Sequence, residues 1–130
     1  MTSIAPYTPR VTPQPWGDEI LIAEGPGYAG KILRRYASPE HHRAGLQWHQ
    51  SRDETFHLVE GEVDVYFVDH AGALRVRRMR PGESFHVPPG AVHSVQTVTD
   101  SVMFEASNGA FSDRVRVEEQ YDVRKAVPID

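Results

Sequence analysis

Past Gly61 the side chains alternate strictly, and that pattern limits the fold more than any other feature of the chain. Val63, Val65 and Phe67 fall on one side of an extended segment, with Glu62, Asp64 and Tyr66 on the other. Successive residues of a strand point to opposite faces, so such a stretch can bury one face only in a sheet. Asp69-His70-Ala71-Gly72 is turn sequence, and beyond it Leu74 and Val76 alternate with Arg75 and Arg77. A β-hairpin with one buried face is expected.

The same grammar runs along most of the chain. Glu19–Ala23 reads as a strand closed by Glu24-Gly25-Pro26-Gly27, Tyr28–Tyr36 as a second strand, and Ser38-Pro39-Glu40 as a loop. Ser84–Val87 and Val92–Val98 form another pair, and Val102 and Phe104 continue the pattern. No segment before the tail has a helical period, so the expectation is an all-β sandwich or barrel. The tail from Val115 to Lys125 suits either one helical turn or an edge cover. Four prolines, Pro6, Pro9, Pro13 and Pro15, fall within residues 1–17. Proline has no backbone donor and cannot sit in a central strand, so an extended N-terminal arm is expected there.

At 130 residues the chain is sized for a single domain, residues 1–130. A net charge of −4 with no basic run gives no reason to expect nucleic acid. No apolar run approaches membrane-spanning length and Met1–Arg10 does not read as a signal peptide, so a cytoplasmic protein is expected. Cysteine is absent, which leaves only nitrogen and oxygen donors for any metal.

Two glycine-punctuated blocks carry such donors. In the first, Gln47 and His49 are two apart and share a strand face, and Glu54 can return to that face across a short turn. In the second, His93 follows Pro88-Pro89-Gly90. Together they would form a mixed nitrogen/oxygen site open to zinc, iron, manganese, nickel or cobalt. The bland alternatives are a polar barrel residue for Gln47, satisfied core groups for the rest, and solvated surface charges for Lys31 and Arg52. His41, His42, His57, His70 and His86 read as surface or strand-face residues. Trp16 and Trp48 read as packing groups.

The spacing of these blocks resembles the cupin superfamily. Gly82, five residues, Pro88, one residue, Gly90, two residues and His93 match the second cupin motif, with Thr97 where Asn is usual. His49, four residues, Glu54, six residues and Gly61 match the first. Gln47 replaces the usual first histidine, and His41 the usual glycine. The resemblance covers roughly residues 30–106, leaving 107–130 as a tail. It implies a single jelly-roll barrel, also described as a double-stranded β-helix. Gln47-Trp48-His49 followed by Arg52-Asp53-Glu54, with Pro15-Trp16-Gly17-Asp18-Glu19 upstream, is similar to the mannose-6-phosphate isomerase and mannose-1-phosphate guanylyltransferase branch.

That resemblance implies one divalent ion, commonly zinc, held by Gln47, His49, Glu54 and His93. It implies isomerase or epimerase chemistry on a sugar or sugar phosphate through a metal-stabilised enediolate, and a homodimer. Lys31 and Glu105 are the candidates for proton transfer, and Arg52 and Lys31 for holding a phosphate. Two other functions remain open: an oxygen-activating iron or nickel cupin, and a non-catalytic sugar-binding or sensing cupin.

Overall fold

The computed structural model describes residues 2–38 and 45–130. His41, His42 and most of the expected loop at Ser38-Pro39-Glu40 lie outside the described residues. The strands are β1 (Arg10–Gln14), β2 (Gly17–Gly25), β3 (Tyr28–Arg35), β4 (Gln47–His49), β5 (Glu54–Glu60) and β6 (Val63–Val68). They continue as β7 (Leu74–Met79), β8 (Ser84–Val87), β9 (His93–Thr97), β10 (Ser101–Ser107), β11 (Arg114–Arg116) and β12 (Val127–Ile129). Two six-stranded sheets run β1-β2-β3-β10-β5-β8 and β11-β4-β9-β6-β7-β12. Together they make the expected all-β jelly roll.

Alternation fills the space between the sheets. Glu54, Phe56 and Leu58 of β5, Met103 and Glu105 of β10, and Lys31, Leu33 and Arg35 of β3 are buried at every second position. Leu33, Phe56, Leu58, Val63, Val65, Met79, Val87, Val95 and Met103 form the apolar core. The polar members of the same faces lie beside this core and shape the site.

Two expectations change. The arm of residues 1–17 is only partly free: Arg10–Gln14 pairs with β2 as an outer strand, with Pro13 opposite Asp18. An edge strand uses only one of its sides, so a proline there costs no ladder hydrogen bond. The return strand of the hairpin also turns the other way from a simple reading of its apolar residues. Arg77 pairs with Val65 and Arg75 with Phe67, which puts the arginines on the inward side and Val76 beside Tyr66. The turn sets the register, and a one-residue shift exchanges the two faces. Arg77 Nη2 donates to Glu83 at 2.8 Å, and its Nη1 donates to Met79 Sδ at 3.0 Å.

The tail does both things its sequence allowed. β11 covers β4, short 3-10 turns occupy Glu118–Gln120 and Val123–Lys125, and β12 pairs in parallel with β7.

Gly61 closes β5 at φ +88°, where a Cβ would collide with the Asp100 carbonyl and with Ser101. The left-handed backbone alone costs a non-glycine residue about 1–2 kcal/mol, and the collision adds to it. Gly61→Ala should therefore lower the thermal midpoint by about 5 °C or more. An unchanged midpoint in a melting curve would contradict this account of the turn.

Candidate metal centre

β4 and β9 bring the two motif blocks together. Gln47 pairs with His93, and His49 follows on the same short strand. β5 then returns Glu54 to the interior from the other sheet. Among the described residues His49, Glu54 and His93 form a buried group whose donor atoms all lie within 4.8 Å of one another. His49 Nε2 and His93 Nε2 each stand 3.3 Å from Glu54 Oε1.

The far side of each imidazole faces oxygen. His93 Nδ1 lies 3.0 Å from the Ala91 carbonyl. His49 Nδ1 faces Asp113 Oδ1 at 3.5 Å, and both atoms are buried without a hydrogen bond. At that distance the pair is a contact rather than a bond. An oxygen behind Nδ1 places the ring proton there and leaves Nε2 a lone pair aimed inward, as in histidines that bind metals. Burial, ahead of the charges around it, holds the His49 pKa below its usual value and favours neutral imidazole. For Glu54, burial opposes ionisation, but the His93 contact and the Arg52 charge outweigh it and hold the carboxyl below its usual range. Two imidazoles and a carboxylate converging in this way fit a divalent ion.

A second layer of charge surrounds these donors. Arg52 bridges two carboxylates, with Nε 3.0 Å from Glu54 Oε2 and Nη2 2.5 Å from Glu105 Oε2. Its Nη1 donates to the Phe111 carbonyl at 3.0 Å. Lys31 Nζ lies 2.7 Å from Glu19 and 4.0 Å from Glu105. Lys31 and Arg52 are thus buried and paired, not solvated surface charges. Burial raises the Glu105 pKa above the usual carboxyl value, although Arg52 opposes the shift.

All the candidate residues, Gln47, Lys31, Arg52 and Glu105 included, line one cavity of about 300 Å³. Small-molecule sites start near that size. Trp16 packs against the core and also lines the cavity, while His57 and His86 bond to Ser84 and Asp53 away from the centre. Sequence reasoning missed Glu19, Arg35 and Asp113. Asp113 comes from the tail, far from His49 in sequence, and no spacing rule could have joined them.

Among the described residues no helix is long and apolar enough to cross a membrane. No curated protein matches the chain. Among solved structures, Staphylococcus aureus capsular polysaccharide assembling protein CapF is similar, with a TM-score of 0.75 at 18% identity over 87% of this chain and 35% of that one. A mutant of Bacillus subtilis oxalate decarboxylase OxdC gives 0.69 at 18% identity over 90% and 34%. A structure of the same decarboxylase described for its Mn(II) centres gives 0.67 at 19% identity over 86% and 32%. The chain therefore spans about a third of the length of these proteins, and at such identity they show the fold alone. A model of the Cupin domain matches residues 36–105, more than half of the chain and both motif blocks, so this protein belongs to the cupin family.

Proposed function

We propose that this cupin holds one divalent ion through His49, Glu54 and His93, with Gln47 as a fourth donor, and moves a proton between neighbouring carbons of a small sugar or sugar phosphate. The observation that carries this reading is the convergence of two Nε2 atoms and one carboxylate oxygen, each imidazole facing oxygen on its other side. Zinc is the proposed ion, and manganese is the next choice. Bound there, the ion would supply Lewis-acid polarisation to a carbonyl and the adjacent hydroxyl.

Glu105 is the proposed proton carrier. Its Oε2 is held by Arg52, and no described residue bonds its Oε1. A pKa raised by burial also brings it nearer to proton exchange at neutral pH. Glu54 is a poorer choice, because a cation would occupy its lone pairs. Arg52 orients both carboxylates, and Lys31 balances Glu105 and Glu19.

The test is proton exchange. Metal-loaded protein is incubated in deuterated water with a panel of aldoses, ketoses and their phosphates, and deuterium at the carbon next to the carbonyl is followed by NMR. Uptake with one substrate, followed by isomer formation, is the expected result. No exchange with any member by fully loaded protein would sink the isomerase reading. Glu105→Gln keeps an oxygen for Arg52 and should slow exchange by about 100-fold or more. Metal content should not change.

A further inference from the structure

Among the described residues three lysine or arginine side chains are buried: Lys31, Arg35 and Arg52. Lys31 pairs with Glu19 and Arg52 with Glu54 and Glu105. Arg35 pairs with no carboxylate among the described residues. It is only 4% exposed. Burial lowers its pKa to about 10, which still leaves it charged at neutral pH. A buried cation is normally paired, because removing a charge from water is costly.

Part of the side chain has a structural task. β4 is three residues long, and among the described residues it meets β9 only at Gln47 and His93. Arg35 Nη2 donates to the Val95 carbonyl at 3.2 Å, and Nε donates to Thr97 Oγ1 at 2.9 Å. Trp16 lies against the guanidinium, 4.7 Å from ring centre to Cζ. These contacts fix the plane of the fork and leave Nη1 without a hydrogen bond among the described residues. The side chain lines the same cavity as His49, Glu54 and His93. Val95 and Thr97 follow His93 on the same inward face of β9, so Arg35 is held further along that strand than the donor group.

We propose that Arg35 receives the anionic group of the substrate, a carboxylate or a phosphate, and so selects anionic over neutral sugars. The proposal rests on the reading that this cavity is the substrate site. A planar guanidinium with an open edge suits either oxyanion. Its pre-set orientation lowers the cost of ordering on binding. Lys31 and Arg52, which the sequence singles out for this task, already face carboxylates. Among the described residues Arg35 is the buried cation with charge to spare, whereas Arg114, which also lines the cavity, is exposed.

The experiment titrates the native protein with sodium acetate and, separately, with inorganic phosphate at constant ionic strength. Affinity is read by calorimetry. The indole resonance of Trp16, one of only two tryptophans, is followed by NMR. Saturable binding of at least one anion is expected, with a shift at Trp16 and an affinity about tenfold or more weaker in Arg35→Met. Arg35→Lys should recover part of it. Acetate alone would point to sugar acids and phosphate to sugar phosphates, and either supports the proposal. No saturation by either anion would overturn it, as would equal binding by Arg35→Met. If that variant does not fold, native binding that leaves Trp16 unmoved overturns it instead. The titrations are run on metal-free and metal-loaded protein. A chain that retains no metal but still binds anions through Arg35 would fail the metal reading and leave this one standing.

Discussion

His49→Ala is expected to strip the protein of its metal. Protein purified without a histidine tag should carry about one divalent ion per chain by elemental analysis, as a three- or four-donor site predicts. Among the described residues His49 supplies one of three strong donors in a group within 4.8 Å. An alanine there leaves a carboxylate, one imidazole and the weak amide donor of Gln47, too few to hold the ion through purification. Asp113→Asn grades the effect. Asp113 Oδ1 faces His49 Nδ1 from the tail, and removal of such an outer partner typically costs about 10- to 100-fold in metal affinity. The native protein should therefore bind most tightly, Asp113→Asn less so, and His49→Ala not measurably. Equal metal content in native protein and His49→Ala would refute the site. Iron as the retained metal would bring an oxygen-activating chemistry forward.

Arg52→Met should be the most destabilising change at the site. Methionine keeps much of the length of the side chain but leaves Glu54 and Glu105 buried without their shared cation. Breaking a buried pair from one side costs about 3–5 kcal/mol. The sign of the pH dependence follows from the carboxyls. In the variant both have raised folded-state pKa values, so the penalty is absent below the unfolded carboxyl pKa and grows as pH rises through the folded values. Urea unfolding of metal-free protein should show the full loss at pH 7. The difference from the native protein should shrink as pH falls towards the carboxyl range. A loss below about 0.5 kcal/mol at pH 7 would mean that water, not Arg52, compensates these carboxylates.

These two experiments separate roles that the sequence ran together. Arg52 and Lys31 read from the sequence as open phosphate-binding cations, yet each is paired in the fold. Arg35 drew no attention, because one arginine in the basic cluster Lys31-Ile32-Leu33-Arg34-Arg35 looks like its neighbours. What separates them is the direction of each side chain. Arg34 turns out to Asp18 at 3.3 Å while Arg35 turns in to Thr97 and Val95.

The sequence by itself determined most of the barrel strands, their turns and the candidate donors His49, Glu54 and His93. Alternation, turn residues and motif spacing are local properties, expressed within a few residues of each other and therefore readable in one dimension. Gly61, His49, Glu54 and His93 stand where those local patterns require. The tertiary structure alone decided three further things. It put Arg77 rather than Val76 on the inner face of β7, because pairing register depends on a turn whose geometry the alternation does not specify. It made an edge strand of Arg10–Gln14 within the proline-rich arm, because β2 offered an open side. It set Asp113 behind His49 and left Arg35 without an acid among the described residues, because charge pairing between distant strands depends on which faces meet across the barrel.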